Sequence, residues 1–209
     1  MANLFLFTGD NTRDLYDKLR FWQQEFVKKY SDANLDVFDE LTEKNISHFI
    51  QALQTAPFLS EKRMLVIKDV PYSAEAKSKV DLDQVQLALE EVDESSLVVF
   101  ISPSPDKRSR FYKFLAQKAS IETFVSPQGR EVMTWLAKRF QRSQKSISPR
   151  AAELLAYSCG GDLERMASEI EKLGVIDTPT IDEETVERLI SPTPEAKVFK
   201  VLDMIGKGQ

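Results

Sequence analysis

Three short, unbroken apolar runs constrain this chain more than any other feature: Leu4 to Phe7, Met64 to Ile67 and Leu97 to Ile101. A strand with one wet face alternates apolar and polar residues, whereas a strand covered on both faces does not need to. Longer segments with helical spacing stand between the runs. Leu15, Leu19, Trp22 and Phe26 form one stripe, which continues to Tyr30. Ile46, Phe49, Ile50 and Leu53 form a second, at i, i+3, i+4 and i+7. Val85, Leu87, Ala88, Leu89 and Val92 fit a shorter helix, and Phe111, Phe114 and Leu115 mark another over Arg110 to Ala119. Leu35, Val37 and Phe38 add a second strand, and Ile121 to Val125 a last one. Alternating strands and helices of this kind imply a parallel sheet with helices on both faces. Gly9 turns the chain after the first strand, and Thr12 is the expected cap of the first helix. Pro71 to Lys79 reads as a polar, mobile loop.

The pattern changes after Pro127, where no apolar run looks like a strand. Val132, Trp135, Leu136 and Phe140 mark a helix. Ser148 and Pro149 open the next with a cap and a proline at its first position, and Gly160 and Gly161 close it. Leu163, Met166, Ile170 and Leu173 define a third helix, ended by Gly174. Thr180 with Glu183 reads as a capping box before the Val186, Leu189 and Ile190 helix. The expected organisation is therefore an α/β domain over residues 1–127 and a small all-helical domain over 128–190. Residues 191–209 read as a linker with the start of another amphipathic helix, Ala196 to Ile205. The uncapped ending DMIGKGQ suggests a chain cut from something longer.

Composition narrows the function. An apolar fraction of 42% argues for a folded protein. The net charge of −5 argues against a chain whose main task is coating nucleic acid. No apolar run is long enough to span a bilayer, and the N-terminus lacks the marks of a signal peptide. The single cysteine, Cys159, excludes an internal disulfide and fits a reducing cytoplasm. It reads as a small buried residue before a helix end.

A strand, glycine turn and helix at the start of such a sheet is where a nucleotide usually sits. The phosphate loop needs two glycines for the backbone wrap, a lysine for charge and a hydroxyl for magnesium. The segment GDNTRDLYDKL offers Gly9 alone, and Asp10 and Asp14 would repel phosphate. No cofactor is expected. One histidine, His48, and one cysteine cannot supply a zinc tetrad or a histidine triad. His48 reads as solvated or capping, and Asp69, after the third strand, as a surface residue. No catalytic constellation emerges.

The oddest stretch joins the second helix to the third strand, QTAPFLSEKRMLVI. Pro57 stops the helix, leaving Phe58 and Leu59 on an elbow among polar neighbours. Connections of this kind run over the surface. Either the two side chains tuck under the helix or a partner buries them. Two basic groups also stand out. One is Lys138, Arg139, Arg142 and Lys145, with Arg150 beyond; the other is Lys107, Arg108, Arg110 and Lys113. They read as solvated faces or, more sharply, as contacts to an acidic partner or to DNA phosphates.

Several segments, taken together and in order, resemble the delta subunit family of the bacterial DNA polymerase III clamp loader. They are LFLFTGDN, FIQALQTAPFLSEKRMLVI, SLVVFISPSPDKRSRFYKFL, SCGGDLERMASEIEKL and TIDEETVERLI. The resemblance implies an AAA+-like α/β domain without a functional phosphate loop, a small all-α lid domain, and a third, helical collar domain, cut short here. It implies a cytoplasmic, non-catalytic subunit of a DNA-directed DNA polymerase holoenzyme, acting in DNA replication. Its partners would be the sliding clamp (the beta subunit) and, through the collar, the other loader subunits. DNA would be met weakly or indirectly, and the chain alone would be monomeric. The family inserts an apolar pair into a pocket on the clamp and favours an opened ring. Phe58 matches that pair. The family order is leucine then phenylalanine; here Pro57 precedes Phe58 and Leu59 follows it, so the second anchor is Leu59 or Pro57. Two other readings remain: a divergent nucleotide-dependent ATPase, which needs the missing phosphate loop, and an adaptor in another AAA+ assembly.

Overall fold

The computed structural model describes residues 3–69 and 81–194. The expected loop Pro71 to Lys79 and the expected helix Ala196 to Ile205 lie outside the described residues. The chain divides into two compact units, Met1–Val125 and Ser126–Gln209.

The first unit alternates strands and helices: β1 (Leu4–Thr8), α1 (Thr12–Tyr30), β2 (Leu35–Phe38), α2 (Ile46–Gln54), β3 (Arg63–Ile67), α3 (Leu82–Glu90), β4 (Ser96–Ser102), α4 (Arg110–Lys118) and β5 (Ser120–Thr123). The strands pair in parallel in the order β2-β3-β4-β1-β5. Apolar runs become central strands because alternate residues serve opposite faces. Leu4, Leu6, Leu65, Ile67, Val98 and Phe100 face α2, α3 and α4, meeting Phe49, Leu53, Val85, Leu89, Phe111 and Leu115. Phe7, Met64, Val66, Val99 and Ile101 face α1, meeting Leu15, Leu19 and Phe26. Trp22 closes the second layer, with its ring centroid 5.0 Å from that of Phe5 and 5.2 Å from that of Phe7.

The edges depart from the sequence reading. The last strand runs Ser120–Thr123, not Ile121 to Val125, and is mostly exposed. With only β1 beside it, it has no need of a solid apolar run. The cap of α1 is Asn11, not Thr12: the Asn11 Oδ1 accepts from the Asp14 amide at 3.0 Å.

The second unit holds α5 (Arg130–Arg142), β6 (Ser146–Ile147), α6 (Pro149–Ser158), α7 (Leu163–Gly174), β7 (Thr180–Ile181) and α8 (Glu183–Leu189). Trp135, Leu136, Phe140, Leu155, Met166, Ile170, Leu173 and Val186 form its core. It is not wholly helical, because β6 and β7 pair in parallel. Two-residue strands are too short to leave an apolar run. The capping box is also corrected. Thr180 belongs to β7, and Asp182 caps α8 by accepting from the Thr185 amide at 2.9 Å. Ser148 caps α6 as expected. Cys159 is buried, and that burial pushes its thiol up to about 11. Among the described residues no helix is long and apolar enough to cross a membrane.

Candidate functional site: an exposed apolar elbow

The helix α2 ends at Gln54, and Thr55 is already extended, with φ −89° and ψ 129°. Proline at 57 keeps the chain out of the helix. The last carbonyls of α2 are not left to water alone. Arg63 Nη1 donates to the Ala52 and Thr55 oxygens, both at 3.3 Å. The same guanidinium donates from Nε to Asp36 Oδ2 at 3.0 Å, tying β3 to the neighbouring strand β2. The elbow therefore leaves a braced helix end.

Asn34 holds the other side. It lies in a short 3-10 turn, Asp32–Asn34, after α1, and is fully buried. Its Oδ1 accepts from the Phe58 amide at 2.6 Å. Its Nδ2 donates to the Phe58 carbonyl at 3.0 Å and to the Tyr30 carbonyl at 2.9 Å. The side-chain amide thus mimics one rung of a strand ladder. With the backbone fixed in this way, the Phe58 side chain leaves the fold: it is 65% exposed, and Leu59 is 92% exposed. Pro57 is half-buried. Leu59 also sits in the left-handed region, at φ 48°. For a residue with a Cβ that conformation costs roughly 1–2 kcal/mol. Strain at an exposed apolar residue is the kind of outlier that points to function. At the end of α1, the Lys29 ammonium lies 4.9 Å from the Tyr30 ring centroid. A hydrogen bond with the Tyr30 side chain holds Lys29 above the ordinary lysine range, and Glu61 adds to it.

The turn after β1 is the opposite. Gly9 has φ 121°, and a Cβ there would lie 2.0 Å from the Phe124 carbonyl oxygen. The Gly9 amide donates to the Pro103 carbonyl at 3.0 Å, and the Asn11 amide to the Phe124 carbonyl at 3.1 Å. The Thr12 amide turns back to the Asp10 carbonyl at 3.0 Å. Amides that would cradle phosphate in a nucleotide site are spent on the chain's own carbonyls.

The basic stretch of the second unit divides. Lys138 and Arg142 are exposed. Arg139 is buried, with its guanidinium carbon 4.6 Å from the Trp135 ring centroid. Lys145 Nζ donates to the Ile176 carbonyl and, at 2.8 Å, to the Thr178 carbonyl. In the other group Arg108 pairs with Asp106 at 3.1 Å and Arg110 with Asp83 at 2.9 Å. His48 is exposed, with its ring centroid 5.5 Å from that of Phe38, and Asp69 is exposed. Among the described residues no group of three or more His, Cys, Asp and Glu is placed to hold a metal.

The family model for the DNA polymerase III delta subunit matches residues 6–124. The chain belongs to the DNA polymerase III delta subunit family. It is 27% identical over 208 residues to the DNA polymerase III subunit delta of Bacillus subtilis (strain 168), covering 91% of this chain and 60% of that protein. Among solved structures it is similar to the Bacillus subtilis DNA clamp loader delta protein, with a TM-score of 0.72 at 22% identity, over 98% of this chain and 63% of that one. A RuvB variant from Thermotoga maritima matches with a TM-score of 0.53 at 12% identity, over 88% of this chain and 59% of that one. These likenesses establish the α/β, AAA+-like fold. The chain spans about three fifths of the length of these relatives.

Sequence reasoning singled out Phe58 and Leu59 but missed the residues that place them. Asn34 carried a signal: an amide side chain just before an apolar strand invites a search for a buried backbone partner. Arg63 carried another, as a charged residue at the head of a buried strand.

Proposed function

We propose that this chain is the clamp-docking part of a clamp-loader delta subunit. In this reading the elbow enters an apolar pocket on the ring-shaped sliding clamp and favours the opened ring for loading onto primed DNA. The observation that carries it is the exposure of Phe58 and Leu59 on a connection braced from both sides. An aromatic anchor buried in a desolvated pocket is typically worth ~2 kcal/mol or more on truncation. The second anchor is Leu59, whose exposure exceeds that of half-buried Pro57.

The chain acts without catalysis. The committed amides around Gly9 support a subunit that neither binds nor hydrolyses ATP. Residues 1–127 serve as the clamp-binding domain and 128–190 as the lid, with 191–209 leading into a collar through which the other loader subunits are met. Contact with DNA phosphates or an acidic partner falls to Lys138 and Arg142, since Arg139 and Lys145 are engaged within their own unit.

The test is Phe58→Ala with the cognate sliding clamp. The expected result is a Kd raised about thirtyfold by faster dissociation, with a Tm within a degree or so of the parent. Unchanged affinity would remove the elbow from the interface.

A further inference from the structure

We propose that Asn34 is a positioning residue for the docking elbow, setting the backbone of Phe58 before the clamp arrives. This rests on the elbow being the docking surface. Both polar groups of the Phe58 peptide go to one buried side-chain amide, at 2.6 and 3.0 Å, across 24 positions of sequence. That amide is itself anchored to the end of α1 through the Tyr30 carbonyl. Neither neighbour of Phe58 can do this work. Pro57 has no amide hydrogen to give, and Leu59 sits in a left-handed conformation that a free chain rarely holds. Without Asn34 the elbow samples other conformations, and the competent fraction falls. Apparent affinity falls by that same fraction, and the loss appears in association. Removing the anchor itself instead appears in dissociation. The two residues therefore leave different kinetic signatures.

The experiment measures association and dissociation rates of this chain on the immobilised clamp, for the parent, Asn34→Ala, Phe58→Ala and the double variant. Asn34→Ala is expected to slow association about tenfold and leave dissociation within about twofold. In the Phe58→Ala background it slows association by a similar factor, because Leu59 is carried on the same elbow. If Asn34→Ala associates at the parent rate while Phe58→Ala weakens binding, the positioning role is wrong and the docking surface stands. If Phe58→Ala binds like the parent, both ideas fall. Asn34→Leu, which keeps the volume and loses the hydrogen bonds, repeats the test where alanine unfolds the chain. If both variants unfold, hydrogen exchange at the Phe58 amide of the parent decides. A protected amide supports the proposal, and exchange at the rate of an open peptide overturns it.

Discussion

Two turns of the same sheet have opposite fates. The turn after β1 lies at the carboxyl edge of the strands, where open α/β sheets usually take their ligands. Here it is shut: the Phe124 carbonyl presses on Gly9 and takes the Asn11 amide. The elbow before β3 lies at the amino edge, where no nucleotide is expected. There the chain is held as firmly, by Asn34 and Arg63, yet its side chains are left outside. Backbone order is present in both places. What differs is whether that order uses up polar backbone groups or leaves apolar side chains exposed.

The comparison breaks most visibly at Gly9. Gly9→Ala puts a methyl group onto a carbonyl oxygen and forces a residue with a Cβ to φ 121°. The expected loss is about 3 kcal/mol or more, read by urea denaturation. A loss below about 1 kcal/mol would mean that the shut turn yields easily and is no seal. Leu59→Gly tests the open side with the reverse sign. Glycine relieves the left-handed strain, so the fold gains up to about 1 kcal/mol while clamp affinity falls. If both quantities fell together, the strain would not belong to the unbound elbow. The smallest expected effect is none: titration of Mg-ATP into the chain gives no saturable heat. Binding at micromolar concentration would show that the Phe124 carbonyl can release the Asn11 amide.

The same contrast explains how much could be read from the sequence. The sheet was legible because solid runs such as MLVI and LVVFI permit few arrangements other than a doubly covered strand. The missing phosphate loop was legible because each absent residue has a physical task. The elbow could be located, since proline after a helix is local information, but not its exposure. The Phe58 backbone is held by Asn34, 24 positions away, a contact that no periodicity encodes. The caps at Asn11 and Asp182 were misplaced by one and two positions for a similar reason. Several adjacent polar residues could cap each helix, and the folded backbone selects among them. In the basic stretch, spacing alone could not tell solvent-facing Lys138 from Arg139, which lies against Trp135.

The close approach of Phe124 to Gly9 has a consequence for redesign. Reinstating a second glycine, a lysine and a hydroxyl after β1 would still leave the Phe124 carbonyl against Gly9 and bonded to the Asn11 amide. Changing side chains alone would leave that main-chain obstacle in place, because it is made by a carbonyl and an amide.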